Sequence, residues 1–362
     1  MKTIFKTLVL ILINLNSYSQ EIKIPELEEG TRVIVNDKNI VVGGVNFKEH
    51  KTNKLAKLIC YDLKLNKIWE LNLHSKQINS IDTITFWDNR IIISGTEGEK
   101  GEEYEKLTRF IKIISSDGKY LSEINIGRST SKSTDFIIQK TKLYLGYKKT
   151  SSINYRDMIK TFKNAVVEVN LTTMKYKIYE HYLPRSTPEF IYSRGENVFI
   201  CGIQYKNDYN AIETFFHNIK DAKPINNLLP AGKMEMLGSG ITTKNGFILA
   251  SISNQYKNNK YEYLKLDVLN TKGKLQETKN IPYKDLGWID KSPTFLDIKN
   301  EFWFRVTKED KKSYLVQLNS DGKEISSIEF NGERRVILTM NSKEIIHLSE
   351  KNQIVTLKKS YR

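Results

Sequence analysis

A short strand-like phrase recurs seven times along this chain, and this recurrence constrains the fold more than any other feature. Each copy is a run of apolar, mostly β-type residues, and successive copies lie 42 to 56 residues apart. The anchor residues of the copies are Gly44, Gly95, Gly146, Gly202, Ser251, Val306 and Leu348. A period in this range indicates one small structural unit repeated along the chain.

The second half of several repeats carries a hairpin turn. Gly118, Gly273 and Gly322 occupy corresponding positions in three repeats, and Asp precedes the glycine in two of them. Gly supplies the positive φ that a tight hairpin needs. Three matching turns at matching repeat positions indicate that the unit ends in a pair of antiparallel strands.

The first repeat shows the plan of one unit. We predict strands over residues 32–36, 39–47, 55–63 and 68–73, with a tight turn at 64–66. Repeats of this length, made of strands and hairpin turns, are typical of a β-propeller. The sequence therefore predicts an all-β fold, a seven-bladed β-propeller of four-stranded antiparallel blades in a single domain over residues 20–362.

The last repeat is one strand short. Residues 335–339, 344–348 and 354–358 supply three strands, and the otherwise unassigned segment 21–27 is the candidate for the fourth. Pro25 suits an outermost strand, because proline cannot donate to a strand ladder. We predict that Ile22 and Ile24 pair beside residues 354–358 and close the ring, which removes an exposed sheet edge.

Residues 1–19 have the pattern of a secretory signal peptide. Lys2 and Lys6 form a basic start, residues 8–15 form a short apolar core, and small residues precede an expected cleavage site before Gln20. The alternative is a buried N-terminal strand. No Cys stands near the cleavage site, so no lipoprotein anchor is expected. No later stretch is long and apolar enough to cross a bilayer. We therefore expect an extracytoplasmic protein, periplasmic or secreted, without a transmembrane anchor.

The chain is basic and has few cysteines. Its formal net charge of +15 falls by two, to +13, when Lys2 and Lys6 leave with the signal peptide. A basic surface favours anionic partners, although the charge could equally serve solubility alone. Cys60 and Cys201 fall in blades 1 and 4 of the predicted ring. That separation is too great for a disulfide, so both are predicted to be buried thiols.

One segment of the first repeat resembles a known class of propeller. The stretch from Tyr61 to Trp69, with Asp62 before the turn and Trp69 after it, is similar to the repeat of quinoprotein-type propellers, and the organisation as a whole resembles secreted bacterial seven-bladed propellers. The Trp is absent from the equivalent hairpins, so the resemblance does not imply a quinone. The repeat signatures of WD40, kelch and sialidase propellers are also absent. We expect no cofactor.

Catalytic and metal-binding motifs are absent. The five His residues are scattered without ligand spacing, so no metal site is predicted. The predicted inner strands and their entry loops do carry acids, namely Asp82, Asp135, Glu189, Asp290 and Asp297. If several of these acids point into the central channel, they could hold a cation or serve as an acid/base pair, and Asp135 and Glu189 are the candidates for that pair near the loop-rich mouth of the channel. The alternative is that these acids cap strand ends and bind Lys side chains or backbone amides.

Long polar connections between the second and third strands are the best candidates for a binding surface. These connections gather at one end of a propeller. Their Tyr and basic residues supply flat aromatic area with adaptable hydrogen bonds. The predicted binding residues are Tyr155, Arg156, Lys160, Tyr205, Tyr209, Tyr256 and Tyr261. The corresponding connection of blade 2, residues 97–106, is acidic, so this end of the ring would be electrically divided. The alternative is ordinary solvated loop tips.

These observations favour a non-catalytic binding propeller, expected to be monomeric, that recognises a protein or an anionic glycan. The alternative is a polysaccharide-active hydrolase or lyase that uses Asp135 and Glu189. The net charge permits nucleic-acid binding, but export from the cytoplasm makes such a partner improbable, so none is predicted.

Overall fold

In the computed structural model, the chain forms antiparallel strands that pair into seven separate sheets. The structure describes residues 20–46, 55–73, 78–98, 107–128, 133–134, 136–149, 163–184, 186–206, 211–221, 235–243, 245–255, 260–282, 295–296, 302–307, 313–318, 324–330, 335–340, 344–351 and 354–361. Within these ranges, six sheets have four strands and one has three. The same ranges contain no helix with the length and hydropathy that a membrane crossing would need.

The first three sheets follow β1 (Gln20–Lys23) in chain order. Blade 1 contains β2 (Glu29–Val35), β3 (Asn39–Asn46), β4 (Leu55–Asp62) and β5 (Lys67–Asn72). Blade 2 contains β6 (Ile78–Trp87), β7 (Arg90–Gly98), β8 (Thr108–Ser115) and β9 (Tyr120–Arg128). Blade 3 contains β10 (Ile137–Gln139), β11 (Lys142–Lys149), β12 (Lys163–Asn170) and β13 (Lys175–Pro184).

The remaining sheets continue the same order. Blade 4 contains β14 (Ser186–Arg194), β15 (Asn197–Lys206) and β16 (Ala211–Asn218), and blade 5 contains β17 (Glu235–Thr243), β18 (Gly246–Gln255), β19 (Lys260–Asn270) and β20 (Leu275–Pro282). Blade 6 contains β21 (Phe295–Leu296), β22 (Phe302–Thr307), β23 (Ser313–Leu318) and β24 (Glu324–Phe330). Blade 7 contains β25 (Arg335–Met340), β26 (Glu344–Lys351) and β27 (Ile354–Tyr361), to which β1 is added. The seven-bladed β-propeller predicted from the sequence is confirmed.

Apolar side chains on both faces of each blade hold the ring together. In β3, every residue from Ile40 to Asn46 is buried, because one face packs on blade 7 and the other on blade 2. The outer strand β5 is exposed along most of its length. The middle strands therefore read as continuous apolar runs rather than as alternating patterns, as expected for strands covered on both sides.

The predicted repeat period is correct, but three of the seven anchor residues stand one position earlier in their strands than the other four. Gly95 is the sixth residue of β7, whereas Gly146, Val306 and Leu348 are the fifth residues of β11, β22 and β26. Successive side chains in a strand point to opposite faces. A Cβ atom at Gly95 would meet Phe110, whose side chain packs with blade 1, whereas one at Gly146 would approach Pro188 of blade 4.

Hairpin turns and side chains connect neighbouring blades at their edges. Gly118 and Gly273 have φ values of 82° and 77°, which confirms the positive φ predicted for these turns. The Trp69 indole donates to the backbone carbonyl of Ser116 over 2.8 Å, and its ring lies where a Cβ atom on Gly118 would stand. The tryptophan of the quinoprotein-like segment therefore links blade 1 to blade 2.

The inner hairpins form a second series of links. The last residue of the inner strand donates a side-chain hydrogen bond to a carbonyl of the next blade's inner hairpin in three successive blades. Trp87 donates to Lys140 over 3.1 Å, Gln139 donates to Gly195 over 3.0 Å, and Arg194 donates to Thr243. These links fix the angle between blades at the end opposite the connections of strands 2 and 3.

The N-terminal segment closes the ring, as predicted. β1 pairs antiparallel with β27 as the outermost strand of blade 7, with Ile22 opposite Leu357. The backbone nitrogen of Ile24 donates to the Val355 carbonyl over 2.8 Å. Pro25 lies just beyond the strand, in the turn that leads to blade 1.

Both cysteines are free and buried, which confirms that they do not bridge. They lie on β4 of blade 1 and on β15 of blade 4. Burial raises the pKa of the Cys60 thiol to about 12 and that of Cys201 well above its ordinary value. Both therefore act as small apolar side chains.

Deletion of residues 20–28 should lower the melting temperature of the whole ring and promote aggregation, because it exposes the edge of β27 and the apolar surface beneath it.

A milder change is Ile24→Ala, which truncates a side chain that is 1% exposed and should lower the free energy of unfolding by about 2–5 kcal/mol. The control is Lys23→Ala, at the exposed last residue of β1, which should change stability by less than about 0.5 kcal/mol. Thermal and urea unfolding measure these effects. A truncated protein that melts like the chain from residue 20 onward would show that closure contributes nothing.

His347 should make the ring acid-sensitive. Burial, with a smaller effect from the Lys358 charge, lowers the pKa of His347 to about 4. The unfolded chain, with a pKa of about 6.5, therefore binds a proton that the folded chain does not as the pH falls from 6.5 towards 4. This group should lower the free energy of unfolding by roughly 2 kcal/mol between pH 7 and pH 4.5. Urea unfolding at both pH values should show a larger loss in the wild type than in His347→Leu. Equal losses would contradict the assignment.

Candidate functional site

One end of the ring carries the connections between strands 2 and 3 of the blades, and we call it the loop face. All blades are oriented alike, so the ends of β3, β7, β11, β15, β18 and β26 lie there together. The connections from each blade's outer strand to the next inner strand reach the same end. The opposite end carries the tight hairpins. The long polar connections of the sequence therefore belong to the loop face.

Two of the predicted binding residues have a described backbone position. Tyr205 is the second-to-last residue of β15 and pairs with Ile212, and Tyr261 is the second residue of β19 and pairs with Asn254. Both positions lie at the loop face, on the neighbouring blades 4 and 5. The other predicted binding residues lie outside the described residues, namely Tyr155, Arg156, Lys160, Tyr209 and Tyr256.

Of the five predicted acids, the structure describes Asp82 and Glu189. Asp135, Asp290 and Asp297 lie outside the described residues. Glu189 is the extra residue of a bulge in β14, where Pro188 pairs with Gly202 and the next pair begins at Phe190. This places Glu189 in the half of its inner strand that is closer to the loop face. Bulges re-aim side chains locally, and sequence periodicity gives no signal for them.

Asp82 stands at the corresponding bulge of blade 2 and forms a buried ion pair. Its carboxylate accepts a hydrogen bond from Arg109 over 2.7 Å, and the two side chains are 5% and 0% exposed. Arg109 also lies 3.4 Å from the Ser94 hydroxyl. Burial raises the pKa of Tyr147 in blade 3 to about 12, and the nearby Arg109 charge acts in the opposite direction. This pair is therefore part of the packing between blades 2 and 3.

Sequence reasoning gave no role to Arg109. The signal was present, because Arg109 opens a run of buried apolar residues in β8. A charged residue within such a run requires a buried partner.

A second group of polar side chains lies between blades 3 and 4, and we call it the interblade cluster. It consists of Lys148, Asn164, Ser186, Glu189 and Gln204. Lys148 and Asn164 are opposite each other in the ladder of β11 and β12, and Ser186 and Gln204 are opposite each other in blade 4. The Asn164 amide donates across the interface to the Ser186 hydroxyl over 2.8 Å.

The interblade cluster is buried at its base and partly open above. Asn164 and Ser186 are fully buried and Gln204 nearly so, whereas Lys148 and Glu189 are half-buried. Burial lowers the pKa of Lys148, and the nearby Glu189 carboxylate acts in the opposite direction. The cluster therefore combines a half-buried ammonium and a half-buried carboxylate with amide groups that are buried.

Buried ion pairs also occur elsewhere in the ring. Lys112 lies 3.1 Å from Glu97 and 3.7 Å from Glu123 between blades 1 and 2. Lys265 lies 3.1 Å from Asp267 in blade 5. Within the described ranges, no group of three or more His, Cys, Asp or Glu residues is arranged to hold a metal ion.

No protein-family model and no curated protein sequence matches this chain. Solved structures do share its fold. A hydrazine synthase of Kuenenia stuttgartiensis has a TM-score of 0.62 at 11% identity, covering 93% of this chain and 96% of that chain. The polysaccharide lyase Uly1 has a TM-score of 0.58 at 9% identity, covering 92% and 90%.

The β-propeller domain of the Trilobed protease from Pyrococcus furiosus has a TM-score of 0.54 at 12% identity, covering 92% of this chain and 94% of that chain. That propeller has an open velcro topology, whereas β1 closes this ring. The fold and these comparisons define the chain as a β-propeller. Identities this low show the fold alone.

Breaking the buried pair between Asp82 and Arg109 should be costly. Asp82→Asn leaves the Arg109 charge buried without its counter-charge and should destabilise the fold by about 3–5 kcal/mol. Replacing both, as Asp82→Asn with Arg109→Met, should cost less than the two single changes together. Glu70→Gln, which alters a partly exposed ion pair with Lys57, is the control and should cost about 0–1 kcal/mol. Urea unfolding measures all four variants. Additive single effects would show that the two charges are not coupled.

Proposed function

We propose that this chain is a non-catalytic binding propeller, periplasmic or secreted, that recognises a protein or an anionic glycan through its loop face. The blades pack on one another through the buried side chains of their strands, which makes the ring a scaffold for the connections at its loop face. Rigid scaffolds that present variable loops are a common basis of recognition.

The observation that carries this proposal is the meeting of polar and aromatic positions at the loop face of blades 3, 4 and 5. The fold brings the backbone positions of Tyr205 and Tyr261 and the half-buried Lys148 to one end of three successive blades. Tyr and basic residues together are enriched where proteins bind partners.

Charge supports an anionic partner. The stretch from residue 148 to residue 164 contains five basic residues and one acidic residue. The stretch from 97 to 106, in blade 2, contains five acidic and two basic residues. A partner with negative charge would therefore be steered towards the blades that follow blade 2 in the ring.

Export to the periplasm or beyond is part of the proposal and rests on the signal-peptide pattern of residues 1–19. The alternative function is a polysaccharide-active hydrolase or lyase with Asp135 and Glu189 at its centre. The likeness to a polysaccharide lyase is a likeness of fold only. None of the described residues supplies an observation that favours catalysis over binding.

The proposal is tested by screening the chain from residue 20 onward against envelope proteins and anionic glycans. Changing Tyr155, Tyr209 and Tyr256 together to Ala should weaken binding at least tenfold, because these side chains would supply the contact area. Changing Tyr120 and Tyr176 to Ala is the control. These two tyrosines are 50% and 46% exposed on outer strands away from the loop face, so binding should persist.

Binding that is insensitive to the loop-face changes, or absent for every probe, would contradict the proposal. Release of new reducing ends from a polysaccharide that disappears in Asp135→Asn or Glu189→Gln would establish the enzyme instead.

A further inference from the structure

The tight turns at the end of the ring opposite the loop face form a second surface, which we call the hairpin face. It consists of the turns between strands 1 and 2 and between strands 3 and 4 of the blades. Several of these turns have only two residues between their strands, as at 88–89 in blade 2 and 140–141 in blade 3. Such turns project little beyond the strand ends, so side chains from several blades can contact one plane together.

Charge is distributed unevenly over the hairpin face. Five basic and four acidic residues occupy the turns of blades 1 and 2, at 35–39, 62–67, 87–90 and 115–120. Seven basic and two acidic residues occupy the described turns of blades 3, 4 and 5, at 139–142, 170–175, 194–197, 218–221, 243, 245–246 and 270–275. Six of these seven basic residues are exposed lysines, which we call the lysine patch, namely Lys140, Lys142, Lys175, Lys220, Lys272 and Lys274.

The lysine patch keeps most of its positive charge. Lys142 pairs with the Glu168 carboxylate over 2.6 Å. Among the described residues, no carboxylate lies within ion-pair distance of the other five ammonium groups of the patch. In blade 2, by contrast, Lys119 lies 2.8 Å from the Asp117 carboxylate of its own turn. The hairpin face is therefore strongly basic on the side of blades 3, 4 and 5 and nearly balanced on the side of blades 1 and 2.

The residue types of the patch favour a surface of anionic headgroups over one precisely held anion. Arg is the usual residue where a single phosphate or carboxylate is bound in a fixed geometry, because its guanidinium donates two parallel hydrogen bonds. The exposed basic residues of the patch are all Lys, which acts as a flexible point charge. Tyr176 is 46% exposed between Lys175 and Lys177, and its amphipathic ring is of the kind that lies at the headgroup level of a membrane.

We propose that the hairpin face of blades 3, 4 and 5 binds the surface of a membrane that contains anionic phospholipids, through the lysine patch. Each Lys near such a surface strengthens binding about fivefold, so several weak contacts add to a stable but reversible attachment. The loop face then points away from the membrane, where a partner can reach it. The inference does not depend on which ligand the loop face binds.

The test is cosedimentation of the chain from residue 20 onward with phosphatidylcholine vesicles, with and without phosphatidylglycerol. The protein should bind only the vesicles that contain phosphatidylglycerol. Raising the salt from about 0.1 M to about 0.5 M should release it, because salt screens exposed charges. The triple variant Lys140→Glu, Lys175→Glu and Lys272→Glu should bind at least about tenfold more weakly.

The matched control is the triple variant Lys38→Glu, Lys64→Glu and Lys119→Glu. These lysines are also exposed in turns of the hairpin face, and the net charge changes by the same amount, but they lie in blades 1 and 2. The control should lose no more than about threefold in affinity at about 0.1 M salt, where exposed charges more than about 10 Å apart are largely screened.

Several outcomes would overturn the inference. They are no binding to phosphatidylglycerol vesicles, equal binding to vesicles of phosphatidylcholine alone, and equal weakening by the two triple variants, which would indicate net charge rather than a surface. Binding of heparin without binding of vesicles would assign the patch to an anionic polymer instead. Melting curves accompany each variant, and if the Glu variant is unfolded, Gln at the same three positions removes the charge with a smaller perturbation.

The same measurements separate this inference from the proposed function. Changing Tyr155, Tyr209 and Tyr256 to Ala should weaken binding at the loop face and leave vesicle binding unchanged. If vesicle binding is lost in that variant, the membrane contact lies at the loop face and the inference is wrong. If vesicles fail to bind but a loop-face partner is found, the proposed function stands alone.

Discussion

The double-sided burial of each blade is the constraint on which the rest of this structure depends. A middle strand such as β3 or β7 has a neighbouring blade against each face, so both sets of its side chains are removed from water. Apolar side chains satisfy this condition at little cost. A polar side chain satisfies it only with a partner in the same interface, because an unpaired buried charge is far more expensive than an exposed one.

The polar groups of the interior follow directly from this constraint. The buried ion pairs are Arg109 with Asp82, Lys112 with Glu97, and Lys265 with Asp267. Their nitrogen–oxygen distances are 2.7 Å, 3.1 Å and 3.1 Å. Replacing such pairs by apolar residues is often neutral or stabilising. Their presence is therefore weak evidence for added stability.

Closure is the second consequence of a ring built from packed sheets. An open ring would leave a sheet edge and an apolar face exposed where the first and last blades meet. Here β1 supplies the outermost strand of blade 7, and Ile24 and Leu27 pack into the core between blades 7 and 1. The Lys67 ammonium also reaches Glu26 over 2.7 Å. The two ends of the chain thus stabilise one another across the closing blade.

The sequence by itself determined the number of blades, the strand order and the closure, because each depends on local periodicity and turn chemistry. The glycines of the outer hairpins marked the turns between strands 3 and 4, and the missing strand of the last repeat indicated closure by the N-terminal segment. The tertiary structure alone decided which neighbouring blade Gly146 and Leu348 face. Alternation along a strand shows that successive residues face opposite sides, but it does not show which blade lies on which side. It alone also decided the partners of Asp82 and the meeting of Lys148 with Glu189. Asp82 and Arg109 are 27 residues apart in the sequence, and Lys148 and Glu189 are 41 residues apart. Only packed blades and bulged strands bring these residues together.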